Sequence, residues 1–353
     1  MRILIDLGHP GHVHFFRHAI DTWRARGHAV LLAARDKDVT LALLERYGLE
    51  HRVLSAVGRG QRGLVAEFLR REWKLLRVIR EFRPDVVTAI GGAFIAPVCK
   101  LAGVPSVVFT DSEHVSLDRY LTYPLASAVC TPYCFKKKAG PRHVRYHGFQ
   151  ELAYLHPSRF TPDPSVLAEL GLSLESRFAL LRFVAWGASH DVGHSGFTGE
   201  EKAQLVCELA ERGRVLVSAE GPMPSEFVPY AISVTPDKVH DLLYYASLYV
   251  GEGATMATEA GLLGTPSVYV SSLVGTMGNY EELARYGLVE AYRDSVSAIR
   301  RAIALMDDRQ AKQARQEARQ RLLQDRIDVT AWLVDFIEDH GRRDRPRAGH
   351  IDR

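Results

Sequence analysis

The sequence is poor in several features that would define a protein class at once. Only four of its 353 residues are cysteines, and they form neither a CxxC pair nor a His/Cys spacing of the zinc type. We therefore expect reduced thiols in a cytoplasmic protein rather than a disulfide-bonded secreted domain. The cysteines are Cys99, Cys130, Cys134 and Cys207.

Charge of one sign is not in strong excess either. The formal net charge of +3 at pH 7 does not demand nucleic acid or another polyanion as a partner. The uncharged stretch over residues 86–99 contains Gly91, Gly92 and Pro97 and is too short to cross a bilayer. The N-terminal MRILIDLGHPGHVHFF is interrupted by Asp6 and three histidines, unlike the long apolar run of a signal peptide.

What the sequence does contain is a regular alternation of short apolar runs with longer segments of helical period. This alternation is typical of βαβ units around a parallel sheet. In the first half we predict strands near residues 2–7, 28–34, 51–54, 85–90, 105–109, 126–130 and 144–147. In the second half we predict strands near 178–184, 214–218, 231–234, 247–250 and 266–270, with helices near 199–212, 238–246, 254–263 and 278–286.

A proline-rich stretch over residues 146–164 separates the two series, because neither a helix nor a central strand can continue through it. We predict one Rossmann-like domain over residues 1–150 and a second over 151–340, which includes closing helices. The polar, basic residues 341–353 are predicted to be a disordered tail.

The most informative segment is YVGEGATMATEAGLLGTPSVYV, at residues 249–270. A glycine turn after a parallel strand lets backbone approach a phosphate, and the next helix offers unpaired N–H groups and a positive dipole end. Gly253, Ala254 and Thr255 are therefore candidate diphosphate ligands, and Glu259 is a candidate ligand of the ribose hydroxyls. The alternative is a simple tight turn followed by a solvated Glu259.

Polar residues near the ends of two other second-domain strands complete this candidate nucleotide site. Arg182 interrupts an apolar strand, and its guanidinium needs a partner, either a diphosphate or an interior carboxylate. The remaining candidates are His190, Asp191, Ser218 and Glu220.

In the first domain, the turn after the first strand reads DLGHPGHVH. His9 and His12 are candidate general bases, because imidazole titrates near neutral pH. Capping and packing roles are the alternative. We predict no metal site here, because His12 and His14 face different sides of a helix, and no NAD site, because the full glycine fingerprint is missing.

A second polar cluster, Asp111, Glu113 and His114, follows the apolar strand at 105–109. Polar residues at the carboxyl end of a parallel strand lie where ligands bind, so these three are also catalytic candidates. The alternative is a capping box for the next helix.

Residues 59–83 carry eight Lys or Arg against three acidic residues, with Leu64, Phe68, Trp73 and Leu76 among them. A basic amphipathic helix can lie on an anionic membrane or bind a lipid-linked acceptor. A solvated helix face is the alternative.

The pattern G-E-G-A-T-x-x-x-E-A-x-x-L-G-T-P resembles the nucleotide-binding element of GT-B glycosyltransferases and UDP-GlcNAc 2-epimerases. The stretches HPGHVHFF, TDSEH, YHGFQELAYLHP and LLRFVAWGASHD are similar to an uncharacterised bacterial and archaeal family of GT-B-like proteins related to them. The resemblance implies an α/β fold of GT-B architecture, two Rossmann-like domains with parallel sheets facing an interdomain cleft. It also implies Glu259 as the ribose ligand and Gly253, Ala254 and Thr255 as phosphate ligands.

From the resemblance and the residues together we expect a metal-independent glycosyltransferase, because no DxD-like pair ends a strand. It would use a nucleotide-activated sugar, UDP-linked for preference, without a cofactor. The acceptor would be a glycan, a lipid-linked molecule or a small molecule of cell-surface glycan or glycolipid synthesis. We expect the protein in the cytoplasm or at the inner face of the membrane.

Two alternatives stay open. The first is a non-hydrolysing sugar-nucleotide epimerase, although the resemblance then implies an acid after the fourth strand, where this sequence reads AIGGAF. Asp111 and Glu113 keep that alternative open, because the epimerases also use a carboxylate after the fifth strand. The second is a sugar-nucleotide-binding protein without turnover, which would keep the Glu259 pocket.

Overall fold

The chain forms two compact units in a computed structural model. Residues 1–58, 60–113, 116–183, 196–219, 223–232 and 234–343 are described. One unit comprises Met1–Tyr154 with Ile327–Arg353, and the other comprises Leu155–Arg326. The change of unit at Tyr154 falls within the proline-rich stretch identified in the sequence.

The first unit is built on seven parallel strands. These are β1 (Arg2–Leu7), β2 (Ala29–Asp36), β3 (Arg52–Ala56), β4 (Val86–Ile90), β5 (Ser106–Phe109), β6 (Ala128–Pro132) and β7 (His143–Tyr146). Their order is β3-β2-β1-β4-β5-β6-β7, so the strand order reverses beside β1. In open α/β sheets ligands bind outside the carboxyl ends of the strands at such a reversal, which is where the β1 turn lies.

Helices connect these strands. They are α1 (Pro10–Ala25), α2 (Thr40–Arg46), α3 (Gly60–Phe82), α4 (Ile95–Ala102), α5 (Ser116–Leu121) and, after β7, α6 (Leu152–Leu155). Helix α1 begins with Pro10 in its first turn, where the missing N–H costs nothing, and α4 ends at Gly103 with φ 67°.

The second unit contains five parallel strands in the order β12-β11-β10-β8-β9. The strands are β8 (Phe178–Phe183), β9 (Arg214–Ala219), β10 (Leu248–Gly251), β11 (Ser267–Val270) and β12 (Val289–Tyr292). The helices are α7 (Ser165–Glu169), α8 (Gly199–Ala210), α9 (Val239–Tyr245), α10 (Ala254–Leu262), α11 (Gly278–Arg285), α12 (Ser295–Asp307) and α13 (Ala311–Gln324). Two short 3-10 helices, Ser225–Tyr230 and Pro236–Lys238, precede α9.

The predicted α/β alternation with parallel sheets is confirmed, but two elements of the second unit differ. Near residues 231–234 the described part has only an isolated bridge from Ala231 to Val217, because Pro229 and Pro236 confine the segment between 3-10 turns. Strand β12 is an addition to the prediction. The sequence VEAY does not read as a buried strand because it contains an acidic residue. In the structure this residue, Glu290, is ion-paired with arginines of α12 and α13.

The last helix, α14 (Val329–Arg343), belongs to the first unit, whereas the sequence prediction placed it in the second domain. Its Trp332 ring lies 5.1 Å from Tyr146 and 6.3 Å from Phe109, and Thr330 donates to the Ala153 carbonyl at 2.6 Å. The apolar face of α14 is therefore buried on the first core. The helix also extends into the predicted tail, of which residues 344–353 lie outside the described part. No helix in the described ranges combines the length and apolarity that a membrane crossing requires.

Buried charges fix α3 to the first sheet. Arg71 of α3 is fully buried and donates to Asp6 of β1 at 2.5 Å and to Ser55 of β3 at 3.0 Å. One turn earlier, Glu67 accepts two hydrogen bonds from Arg35 of β2, both at 2.6 Å. Because a buried charge is tolerated only with a partner, these pairs hold one face of α3 against three strand ends.

We predict that Arg71→Met destabilises the first unit by about 3–5 kcal/mol, because it leaves the Asp6 carboxylate buried and uncompensated. The exposed pair Arg52–Glu81, at 3.1 Å, provides the matched control, and Arg52→Met should cost less than about 1 kcal/mol. Urea unfolding checks both values. The double change of Asp6→Leu with Arg71→Met should recover stability, and a single Arg71→Met protein as stable as wild type would contradict the assignment.

Candidate functional site

The carboxyl edge of the second sheet brings several predicted site residues into one row. Arg182 of β8 pairs in register with Ser218 of β9 on one side and with Gly251 of β10 on the other. The Arg182 guanidinium donates to the Ser218 hydroxyl at 2.5 Å. A cation, a hydroxyl and a side-chain-free backbone position therefore stand side by side where a parallel sheet binds ligands.

Helix α10 begins directly after this row. Gly253 is its N-cap residue, with φ −84° and ψ 116°, and as a glycine it has no side chain to cap the helix. Gly253 and Ala254 are half-buried and Thr255 is exposed. The first N–H groups of a nine-residue helix, together with its dipole, suit an anion at this position.

A glycine is required at Gly251 because the chain passes close to its neighbours. A Cβ atom there would lie 2.9 Å from the Arg182 carbonyl oxygen and would collide with the Tyr249 ring. The glycine turn predicted from the sequence thus has a steric cause in the pairing of β10 with β8.

Glu259 lies in the second turn of α10 and is buried, not solvated. Its Oε1 atom is 3.0 Å from Nε2 of His240, a buried residue of α9. The contact with His240 fixes the orientation of the carboxylate, so Glu259 is a positioned group rather than a flexible surface acid. His240 is not among the residues predicted from the sequence, where a single histidine between Val239 and Asp241 forms no recognisable motif.

The neighbouring acid, Glu252, makes structural contacts at the start of α8. Its Oε1 atom accepts from the Phe197 amide at 2.7 Å, and its Oε2 atom lies 3.3 Å from Lys202 of α8. These contacts tie the glycine turn to the start of α8. Glu252 thus holds the loop, while Glu259 is the better candidate for a ligand.

Four predicted site residues, His114, His190, Asp191 and Glu220, lie outside the described residues. Their roles stay predictions.

In the first unit, two histidines shape the turn between β1 and α1. His9 is the N-cap of α1, and its Nδ1 atom accepts from the Gly11 amide at 3.1 Å. His12 closes the turn in the same way, because its Nδ1 atom accepts from the Gly8 amide at 3.1 Å. The predicted capping role is therefore real, and it fixes both imidazole rings.

These hydrogen bonds also determine the tautomers. A ring nitrogen that accepts an amide N–H carries no proton, so each neutral ring holds its proton on Nε2. Burial and then the positive charges of His9, Lys37 and Arg71 lower the pKa of His12 well below its usual range. His12 is thus a neutral imidazole with an Nε2–H donor, whereas His9 directs Nε2 toward Asp38 at 3.9 Å.

The third histidine of the turn, His14, faces the interior. It is buried, with its ring 5.4 Å from Tyr154 and its Nδ1 atom 3.3 Å from the Tyr47 hydroxyl. Among the described residues, no group of three or more His, Cys, Asp or Glu side chains could hold a metal ion.

The two described acids after β5 differ from one another. Glu113 is buried, and its carboxylate accepts from the Lys136 amide at 3.1 Å, which joins this loop to the one after β6. Asp111 is half-buried and accepts from the Ser112 hydroxyl at 3.1 Å. Asp111 is therefore the more accessible carboxylate at this end of the sheet.

The chain therefore contains two parallel α/β units, the second with a positioned glutamate after a glycine turn, which is the domain composition of the GT-B fold. The chain belongs to the family described as "Protein of unknown function (DUF354)", which matches residues 1–331.

The relatives of this chain fall into two kinds. The uncharacterized protein MJ0665 of Methanocaldococcus jannaschii is 24% identical over 288 residues, which is 77% of this chain and 83% of that protein. The UDP-N-acetylglucosamine–N-acetylmuramyl-(pentapeptide) pyrophosphoryl-undecaprenol N-acetylglucosamine transferase of Pseudomonas fluorescens is 30% identical over 135 residues. That second match spans 36% of this chain and 38% of the transferase.

Solved structures with the same fold include transferases and an epimerase. Spinosyn rhamnosyltransferase SpnG, complexed with spinosyn aglycone, has a TM-score of 0.64 at 16% identity and covers 96% of this chain and 100% of its own. The UDP-GlcNAc 2-epimerase of Methanocaldococcus jannaschii has a TM-score of 0.61 at 14% identity, covering 88% and 94%. At these identities the likeness establishes the GT-B fold.

The lowered pKa of His12 predicts a specific acid sensitivity. Between the usual histidine pKa, about 6.5, and the lower folded value, the unfolded chain binds a proton that the folded chain does not. Stability from neutral His12 is therefore complete above about pH 6.5 and is lost as the pH falls toward the folded pKa. His12→Gln should reduce this loss in thermal unfolding followed from neutral to acidic pH. His51→Gln controls for loss of an imidazole elsewhere, and an unchanged acid slope in His12→Gln would contradict the prediction.

Proposed function

We propose that this protein is a metal-independent glycosyltransferase that binds a nucleotide-activated sugar on its second unit. The observation that carries the proposal is the row Arg182, Ser218 and Gly251 at the carboxyl edge of the second sheet, followed after Gly251 by the N-terminus of α10. A cation and a helix N-terminus thus lie at one edge of the sheet. Both favour a diphosphate, and both favour it more as negative charge develops on a departing nucleotide.

The positioned glutamate supports a nucleotide rather than a free diphosphate as the ligand. Glu259 is held by His240 and lies one helical turn beyond the residues proposed for the phosphates. A carboxylate at this distance suits ribose hydroxyls, which donate hydrogen bonds to it. A UDP-linked sugar is the preferred donor, because the partial relative from Pseudomonas fluorescens is named for a UDP-N-acetylglucosamine reaction.

In this proposal the first unit binds the acceptor and activates it. An acceptor hydroxyl needs a group that takes its proton as the new bond forms. The Nε2–H tautomer of His12 makes that ring a hydrogen-bond donor, so we assign the base role to Asp111 and a donor role to His12. His9, the other predicted base, is assigned to shaping the turn as N-cap.

The name of the Pseudomonas fluorescens relative also supports a proposal for the pathway and the location of the enzyme. We propose a glycan, lipid-linked or small-molecule acceptor in cell-surface glycan or glycolipid synthesis, with the enzyme at the inner face of the membrane. The basic segment 59–83 is the proposed membrane contact.

Sugar-nucleotide epimerisation is the second candidate, favoured by the structural likeness to UDP-GlcNAc 2-epimerase and by Asp111 after β5. The turn after β4 counts against it, because Gly91 and Gly92 stand there without an acid. An epimerase would change the donor sugar without any acceptor, which separates the two candidates in one assay.

The donor site is tested by thermal stabilisation with UDP-, GDP-, dTDP-, ADP- and CMP-sugars in the presence of EDTA. A ligand at 100 times its Kd should stabilise the fold by about 2.7 kcal/mol. We expect one nucleotide family to raise the melting temperature of wild type. Glu259→Gln should weaken binding by about 1.5–3 kcal/mol, because hydrogen bonds to a charged group are lost.

Glu317→Gln, at an exposed glutamate of α13, is the matched control and should bind like wild type. No stabilisation by any of these sugars would overturn the donor site. Stabilisation that requires a divalent metal would overturn metal independence alone.

The catalytic assignment predicts different results for two variants once the donor is known. Asp111→Asn should lower kcat by about 10²–10⁴-fold with a smaller effect on donor KM, because a base acts in the transition state. His12→Gln should keep more activity than His12→Ala, since a glutamine amide can still donate. Steady-state kinetics of transfer measures both, and a wild-type kcat in Asp111→Asn would place the base elsewhere.

A further inference from the structure

One face of α3 carries large apolar side chains that are mostly exposed in the described chain. Val65, Leu69 and Trp73 are 62%, 61% and 58% exposed. Their spacing of four residues places them in one line along the helix, about 12 Å long at 1.5 Å per residue. Exposed apolar residues scattered singly are ordinary, but three in a row with a tryptophan form a contiguous patch.

The opposite face of α3 is already committed to the fold. Leu75, Val78 and Ile79 lie in the core, and Arg71 is buried against Asp6. Phe68, which the sequence groups with the apolar residues of the helix, turns inward to the Phe94 ring at 5.2 Å. The helix is therefore fixed in its rotation, and the exposed line, which we call the α3 stripe (Val65, Leu69 and Trp73), does not arise from a loosely packed element.

Positive charge surrounds the α3 stripe. The arginines exposed on this helix are Arg62, Arg70, Arg77 and Arg80. The guanidinium of Arg77 lies over the Trp73 ring, 4.9 Å from its centre. An arginine stacked on a tryptophan presents an apolar plane and a cation together, as suits the boundary between acyl chains and headgroups.

The acids of the same helix do not cancel this charge. Glu67 is buried against Arg35, and Glu81 is paired with Arg52 at 3.1 Å. The third acid, Glu72, is partly buried, and burial raises the pKa of its carboxyl group. The solvent side of α3 is consequently cationic around an apolar line.

We propose that the α3 stripe inserts into the headgroup region of an anionic phospholipid bilayer and that the surrounding arginines bind the lipid phosphates. A bilayer fits better than a protein groove, because the stripe is a straight line on a convex helix and offers no pocket or shape to match. The inference rests on the proposed function only in giving a reason for the enzyme to be at a membrane. The interaction itself follows from apolar burial and charge.

The test is sedimentation of the full chain with vesicles of phosphatidylcholine alone and of phosphatidylcholine mixed with phosphatidylglycerol, without sugar nucleotide. We expect binding to the anionic vesicles, little binding to the neutral ones, and weakening with added salt. The double variant Leu69→Ala with Trp73→Ala should lose about tenfold or more in partition, since apolar burial is removed.

Matched controls keep the result specific. The pair Leu101→Ala and Leu174→Ala removes two equally exposed leucines elsewhere and should change nothing. Arg70→Ala with Arg77→Ala should lose about fivefold for each arginine, whereas Arg300→Ala with Arg309→Ala, exposed in the second unit, should not. Circular dichroism confirms that each variant folds.

Trp73 itself supplies a second readout. Its fluorescence should shift to the blue and be quenched by brominated anionic lipid, and the shift should vanish in Trp73→Ala. Equal vesicle binding by the stripe variant and wild type, or no binding by wild type, would overturn the proposal. So would loss of a dimer in the stripe variant without any vesicle binding, which would assign the face to a second copy of the chain.

The vesicle test fails or succeeds separately from the donor-site test. Glu259→Gln should bind vesicles like wild type, because the stripe and the proposed donor site lie in different units.

Discussion

The parallel pairing of β10 with β8 is the constraint on which the candidate site depends. The register places Gly251 beside Arg182, and the backbones come so close that no Cβ fits at that position. The same pairing sends the chain from β10 through a short turn into α10, so that α10 begins at the sheet edge where Arg182 lies. A shift of one residue in this register would reverse the side on which Arg182 emerges and would separate the cation from the helix dipole.

Three buried charged groups, in the two units, are each held by a specific partner. Arg71 is matched to Asp6, Glu67 to Arg35, and Glu259 to His240. The first two pairs orient a helix, whereas the third orients a carboxylate that we assign to a ligand. The difference lies in their surroundings, because Glu259 belongs to the helix that begins directly after the glycine turn.

Sequence patterns predicted the architecture well because strand and helix periods depend on local residues. All seven strands of the first sheet and the glycine turn before α10 were accessible from short apolar runs and glycines. The position of α14 could not be predicted, since the sequence of an amphipathic helix does not show which of two cores the helix covers. The role of His240 could not be predicted for a similar reason, because a single histidine has no recognisable motif until its distant partner is known. The tautomer of His12 depends on the Gly8 amide, which only the three-dimensional turn reveals.

Helix α14 has a consequence for the order in which the chain acquires its structure during synthesis. The first unit is assembled from both ends of the sequence, with the whole second unit encoded between them. On the ribosome, the aromatic surface around Phe109 and Tyr146 must wait for about half the chain to emerge before Trp332 can cover it. The second unit, which is continuous in sequence, can complete its own core earlier. A nascent chain of this protein therefore displays an uncovered apolar face while about half of its length is being translated.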